Sequence, residues 1–342
     1  MQDIKNLNLE ELAQVLSDWQ QDRFRARQVF SWIYDKGAKD FEAMSDLPKD
    51  LRESLKEKFY LYSIKLAKRL KSQDGAEKLL FELMDKNLIE AVIIPTQYRV
   101  TGCISSQAGC RFKCLFCASG ASVFRRNLTC AEIIEEALFL KDNSQDKKLT
   151  HLVLMGIGEP LDNYGNVIKA IRIINSKYAL NIGARRITIS TCGIIPAIQK
   201  LANEGLQIEL SISLHAADNK TRSEIMPINK KYPLKDLIGA CREYAGKTKR
   251  QVTFEYVLIK NLNSDLQSAK NLSKILKGFE CKVNLIPANS IRELNIESPN
   301  KLEILLFKDY LSKSGVNVTL RRPRGEDIDA ACGQLRLRYE KQ

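Results

Sequence analysis

From residue 89 onward the sequence alternates short β-rich runs with amphipathic helical runs, and this alternation narrows the possible folds more than any other feature. The strand-like runs are IEAVIIP, YRVTGCIS, HLVLMG, RITIST, IELSISLH, VTFEYVLI, KVNLIP and VNVTLR. Between most of them lie helical segments such as CAEIIEEALFLKD, NVIKAIRIINSK, IPAIQKLANEG, LKDLIGACREYAG, LQSAKNLSKILKG and KLEILLFKDYLSKSG. Strands linked by helices must run parallel, because the crossover returns the chain to the same end of the sheet. The expected fold is therefore α/β, a parallel (βα)6 barrel, complete or partial. Residues 1 to about 86 read differently. LEELAQVLSDW, RARQVFSWIYDKG and PKDLRESLKEKF carry the helical period, with Gly37 as a C-cap and Pro48 near a helix start. A small helical domain is expected over residues 1–88 and the barrel over 89–342.

In a parallel barrel the chemistry sits on loops that follow the strands, and the unusual polar motifs do follow strands here. CRFKCLFC (residues 110–117) follows the YRVTGCIS strand, GIGEP (156–160) follows HLVLM, STCG (190–193) ends RITI, SLHA (213–216) ends IELSI, and PAN (287–289) ends VNLI. The chain has nine cysteines at irregular spacings and begins with the polar MQDIKNLNLEELAQVL. That start does not suit a secretory signal, and no window holds the roughly 18 apolar residues of a membrane span. A cytoplasmic protein with no membrane partner is expected, and its cysteines suit metal, redox or catalytic use better than a disulfide scaffold.

Cys110, Cys114 and Cys117 form CxxxCxxC, which offers three ligands. Structural zinc wants four, so Cys103 or Cys130 would have to complete it. A [4Fe-4S] cubane held by three thiolates keeps one iron open, which serves an iron that must bind a small molecule and pass it an electron. Buried packing thiols are a third reading.

The motifs together resemble the radical S-adenosylmethionine (SAM) enzymes, and within them the RlmN/Cfr family of RNA methyltransferases. The resemblance rests on CISSQAGCRFKCLFC, MGIGEPLDN, SISLHA, MPINKKY, VNLIPAN, GEDIDAACGQL and the helical FRARQVFSWIY, and covers nearly the whole chain. It implies a partial (βα)6 radical SAM barrel whose Cys110, Cys114 and Cys117 hold the cluster, with SAM on the open iron. Gly158 and Glu159 would line the methionyl end of SAM, and Ser190, Ser213, Leu214, His215 and Asn289 would complete the pocket. Read singly, GIGEP is also a plain turn, Ser190 a helix cap and His215 a hydrogen-bonding histidine.

The resemblance further implies a route to the electron-poor C2 carbon of adenine. Cys332 would accept a methyl group, a radical formed on that methyl would add to C2, Glu90 would take the C2 proton, and Cys103 would release the product through a transient disulfide with Cys332. By pattern alone, Glu90 reads as a surface residue alternating out of a strand, and Cys332 and Cys103 as packing cysteines. The substrates implied are 23S rRNA and the adenosine 3′ of the anticodon in tRNAs, with an electron donor such as flavodoxin and a monomeric enzyme. A Cfr-like C8 methyltransferase shares these residues and stays open, as does a non-catalytic iron–sulfur or zinc RNA-binding protein. Cys130, Cys192, Cys241 and Cys281 read as packing residues, and STCG departs from the family's usual STSG only at Cys192.

Charge adds a partner. The net charge is +13, while residues 1–88 hold 16 basic and 16 acidic side chains, so the surplus lies in the barrel. Arg111, Lys113, Arg125, Arg126, Arg185, Arg186, Arg321, Arg322 and Arg324 fall near the loop motifs in sequence and are expected to form a phosphate-binding rim around the mouth.

Overall fold

The computed structural model describes residues 1–121, 123–144, 148–288, 296–321 and 325–328. Its centre is a ten-stranded sheet, labelled here β1 (Ile64–Lys71), β2 (Glu77–Leu83), β3 (Leu88–Pro95), β4 (Val100–Cys103), β5 (Leu149–Leu154), β6 (Ile187–Thr191), β7 (Glu209–Ser213), β8 (Val252–Leu258), β9 (Cys281–Pro287) and β10 (Asn317–Leu320). The strands are ordered as in the sequence. β4 through β10 pair in parallel, and β1 to β3 extend β4 as an antiparallel meander.

Each of β4 to β9 is followed by helix before the next strand begins, giving six strand–helix units and a closing strand. This is the partial α/β barrel of six strand–helix units expected from the alternation. The parallel strands bury Leu152, Leu154, Ile187, Ile189, Leu210, Ile212, Phe254, Val283 and Leu285 in one continuous core. Helices begin where capping chemistry allows. Thr129 caps Cys130–Asp142 in a reciprocal box with Glu132, and Asn300 does the same for Lys301–Lys313 with Glu303.

The amino-terminal helices Leu9–Asp18, Phe24–Tyr34 and Lys49–Lys58 form as expected. The helical segment nevertheless ends at Lys58, and residues 64–83, assigned to it from sequence, form two strands of the sheet. β1 reads IKLAKRLK and is an exposed edge. Its regularly spaced basic residues mimic a solvated helix face, yet they serve as the charge that keeps a sheet edge from pairing with another chain.

Helix Cys130–Asp142 lies between the sheet and the amino-terminal helices and is buried nearly all round. Lys5, Asp3, Ser63 and Glu135 form a buried ionic cluster at this seam, with Lys5 Nζ 3.0 Å from both carboxylates. The Glu135 carboxylate also accepts from the Ser63 and Ile64 N–H groups. Among the described residues no helix is long and apolar enough to cross a membrane.

Candidate active site

Strand register decides which side chains share the barrel interior. Successive residues of a strand face opposite sides, and in-register partners face the same side. Leu80 pairs with Glu90 and Lys78 with Val92, so Lys78 and Glu90 share one face. Val92 pairs with Cys103, Cys103 with Val153, and Val153 with Thr188, two residues before Ser190. Ser190 pairs with Ser211, Ser213 with Glu255, Glu255 with Asn284, and Asn284 with Thr319. One concave face thus carries Lys78, Glu90, Cys103, Ser190, Ser211, Ser213, Glu255, Asn284 and Thr319.

The cysteine loop sits at the carboxyl-terminal edge of that face. A short ladder, Gln107 to Asn127 and Ala108 to Arg126, closes its base. The loop is wound too tightly for side chains at two glycines. A Cβ on Gly109, where φ is +89°, would lie 2.2 Å from the Val123 carbonyl oxygen, and one on Gly120 would lie 2.9 Å from the Cys114 nitrogen. Cys117 N–H donates to the Cys114 carbonyl at 3.1 Å, and Leu115 N–H to Ile225 at 2.9 Å. Cys110, Cys114 and Cys117 are all partly buried.

Burial pushes the free Cys110 thiol up to about 12 and Cys114 well above its ordinary value, and the neighbouring cysteines add to both shifts. The three thiols are therefore close enough to feel one another's charge. Three thiols on one short loop match the ligand set of a cluster that keeps one iron open, whereas structural zinc would need a fourth ligand to close its shell. Neither fourth ligand suggested for zinc sits in this group. Cys130 lies under the seam, where Lys169, Glu11 and Asp3 act on it, and Cys103 is influenced instead by Arg321, Glu136 and Lys78.

GIGEP is more than a plain turn. Its two glycines allow the chain to press against the loop after β4, since a Cβ on Gly156 would meet the Ile104 carbonyl at 2.6 Å and one on Gly158, at φ +105°, would meet Gln107 at 2.5 Å. Gln107 ties the region together. Its Oε1 accepts from Glu159 N–H, and its amide donates to Asn127 and Asp162, each at 2.8 Å. The Glu159 carboxylate turns inward, accepting from Cys192 N–H at 2.7 Å and Leu161 N–H at 3.1 Å. Burial raises its pKa against these hydrogen bonds. Glu159 thus braces the loop after β6.

Ser190 and Ser213 are partly buried on the concave face, whereas the Leu214 side chain points into the core. His215 adopts φ +56°. Its Nδ1 accepts from Val257 N–H at 3.0 Å, which places the ring proton on Nε2. Burial first, then Arg222, lower its pKa to about 3, so it is neutral at any physiological pH. Its ring meets Phe116 of the cysteine loop edge-on, with centroids 4.4 Å apart.

Glu90 is not the surface glutamate that strand alternation alone suggested. It is 2% exposed, and its Oε2 lies 3.0 Å from Nζ of the fully buried Lys78. The Glu90 carbonyl accepts from Ser105 Oγ, which in turn accepts from Ile157 N–H, so this strand is tied to GIGEP. Burial raises the Cys103 thiol to about 11, with Arg321 the largest opposing influence. Asn289 and Cys332 lie outside the described residues. The approach to Cys332 is anchored, since Asp327 accepts from Gln73 N–H at 3.1 Å and Asp74 accepts from Gly325 N–H at 3.1 Å.

The basic rim needs correction. Arg185 and Arg186 lie in the turn before β6, at the amino-terminal end of a parallel strand and so opposite the mouth. Arg126 is committed to Glu132 and Asp85. Arg111, which pairs with Asp162 at 2.9 Å, and the exposed Lys113, Arg125 and Arg321 remain near the mouth, while Arg322 and Arg324 fall outside the described residues. Sequence reasoning also missed Lys78, Arg222 and Glu255, single polar residues outside the loop motifs, and Gln107 and Asn284, which lie within quoted motifs but were given no role. The Asn284 amide donates to Glu255 at 2.8 Å, and Thr319 Oγ1 donates to Asn284.

Known proteins agree with this geometry. The Radical SAM superfamily matches residues 104–270, and the ribosomal RNA large subunit methyltransferase N-terminal domain matches residues 2–61. A probable dual-specificity RNA methyltransferase RlmN from Caldanaerobacter subterraneus is 45% identical, covering all of both chains. Another from Clostridium novyi is 46% identical, covering 99% of each. The crystal structure of a radical SAM methyltransferase from Sphaerobacter thermophilus superposes with a TM-score of 0.94 at 40% identity, covering 98% of this chain and 99% of that one. A tight thiol loop at the carboxyl-terminal edge of a partial barrel, joined to these full-length matches, places the chain in the RlmN family of radical SAM RNA methyltransferases.

Proposed function

We propose that the chain methylates C2 of a specific adenosine in 23S rRNA and of the adenosine 3′ of the anticodon in tRNAs. The observation that carries this reading is the shared concave face. Glu90 and Cys103 occupy it, and the thiol loop stands at its edge.

Cys110, Cys114 and Cys117 would hold a [4Fe-4S] cluster, and Gly158, Glu159, Ser190, Ser213, Leu214, His215 and Asn289 would form the SAM pocket. Of these, Glu159 contributes by fixing the loop at Cys192, Leu214 through its backbone, and His215 as a neutral group seated on Phe116. Bound together, cluster and SAM would supply a methyl group and one-electron chemistry able to activate an unreactive C–H bond. The protein's own residues would do the rest. Cys332 carries the one-carbon unit as a thioether and becomes joined through it to the adenine. Glu90, shielded from water, accepts the proton that leaves C2. The Cys103 thiolate then attacks the Cys332 sulfur; the S–S bond forms as the carbon–sulfur bond breaks, and the electron pair left on carbon takes up a proton to give the methyl group. The protein ends with a transient disulfide that an external thiol must reduce.

The helical residues before β1 carry no basic surplus, with 10 basic and 12 acidic side chains, and suit recognition of RNA shape rather than of its phosphates. Mass spectrometry of RNA methylated by the anaerobically reconstituted protein tests the reading. It should yield 2-methyladenosine, and 8-methyladenosine in its place would assign the Cfr-like reaction.

A further inference from the structure

Arg222 is the largest side chain buried to 0% exposure. Its guanidinium donates to the Cys192 carbonyl at 2.8 Å, the Asn229 Oδ1 at 3.0 Å, and the Leu214 and Ser213 carbonyls at 3.1 Å each. Every one of these acceptors is neutral, and among the described residues Arg222 has no carboxylate within ion-pair distance. A buried charge without a counter-charge is strongly unfavourable. A hydrogen-bonded cation in this setting calls for an anion nearby.

The surroundings identify that anion. Arg222 sits on the short helix Asn219–Ile225, whose last carbonyl receives Leu115 N–H from the cysteine loop. Cys114, Phe112 and Phe116 pack on the small apolar group of Cys192, Ala216, Ile225, Met226 and Ile228 around it. The charged groups acting on Cys114 are Cys117, Cys110 and Glu159, all negative, and Arg222, the one cation among them. Glu159 does not neutralise Arg222 directly, because the backbone of Cys192 lies between them, its N–H donating to Glu159 and its carbonyl accepting from Arg222. Asp162, which acts on Cys110, is paired with Arg111.

We propose that Arg222 is a positioning residue that balances the charge of the thiolate-bound cluster, stabilising its reduced form and raising its reduction potential. A cubane on three thiolates is anionic and gains a further negative charge when it accepts an electron, so a fixed buried cation favours the reduced state. The same guanidinium ties the loops after β6 and β7 to the helix under the cysteine loop, so charge and position are set by one side chain. This inference rests on the cluster assignment above.

Anaerobic reconstitution followed by reductive titration, read by electron paramagnetic resonance, provides the test. Arg222→Gln removes the charge and should lower the midpoint potential at unchanged iron and sulfide content. Arg222→Lys keeps the charge but gives up the guanidinium fork, and should hold the potential near the parent value. Equal potentials in the parent and Arg222→Gln proteins would overturn the proposal, as would Arg222→Lys falling as far as Arg222→Gln. Should Arg222→Gln not fold, Arg222→Met serves as the uncharged variant in the same comparison: a potential below that of Arg222→Lys supports the charge role and an equal one contradicts it. A parent protein that takes up no iron and sulfide would instead defeat the cluster assignment, an outcome distinct from any change confined to the variants.

Discussion

Two buried charged regions are held on opposite principles. At the seam between the amino-terminal helices and the barrel, Lys5 meets Asp3 and Glu135 directly, and the remaining carboxylate lone pairs take N–H groups from Ser63 and Ile64. That network closes on itself. At the mouth, among the described residues, Arg222 has only neutral acceptors, and the Glu159 carboxylate is held by peptide N–H groups and by the Thr191 and Cys192 side chains, with no cation paired to it. The seam is complete without a ligand, whereas the mouth leaves charge to be balanced by what it binds. Adjacent residues of one helix show how finely the two are divided: Glu135 serves the seam, while Glu136 turns the other way and accepts from Ser105 N–H beside the site.

The largest effect should come from emptying the mouth. Cys114→Ala should abolish cluster retention and reduce methylation to background, measured as iron content and methylated nucleoside, while the melting temperature of the metal-free protein shifts little. Next is Lys78→Met, which removes the ion-pair partner 3.0 Å from the buried Glu90 carboxylate and should cost about 3 kcal/mol in urea denaturation, with loss of methylation. Lys5→Met should cost a similar ~3 kcal/mol at the seam, yet leave iron content per folded chain unchanged. If Lys5→Met instead emptied the cluster site, the two regions would not be independent.

A pH series sharpens the comparison further. Burial, with Asp3 beside it, pushes the Glu135 carboxyl from 4.5 up to about 7 against the opposing influence of Lys5. A folded-state pKa above the unfolded value means that the folded chain holds the proton more tightly, so this contribution is fully present below about pH 4.5 and is lost as pH rises through 7. Glu135→Gln should flatten the stability profile across that window, and an unchanged slope would contradict this account. The smallest effect is expected from Arg111→Ala, which should weaken RNA binding modestly and reduce the salt dependence of log K by about one phosphate contact.

The division between legible and hidden features follows from range. The strands of the parallel region lie where apolar runs placed them, because the face each strand turns to the core is written into a few alternating residues close together in sequence. The loop motifs were legible for the same reason, each being local. β1 was not, since an exposed edge strand with charged residues at close intervals lacks that signature. The partners of Glu90, Glu136 and Arg222 were invisible because each contact joins separate elements, as with Ser105 and Glu136 across 31 residues or Cys192 and Arg222 across 30. Arg185 and Arg186 misled because nearness to Ser190 in sequence spans the length of a strand in space.

The most direct test of the account is the fate of RNA on the Cys103→Ala protein, loaded with cluster and SAM and given reductant. With Cys332 intact and Cys103 unable to form the releasing disulfide, a covalent protein–RNA species should accumulate, and the same reaction with Cys332→Ala should give none. Equal amounts of that species from both variants, or its absence from both alongside normal 5′-deoxyadenosine formation, would contradict the proposed relay.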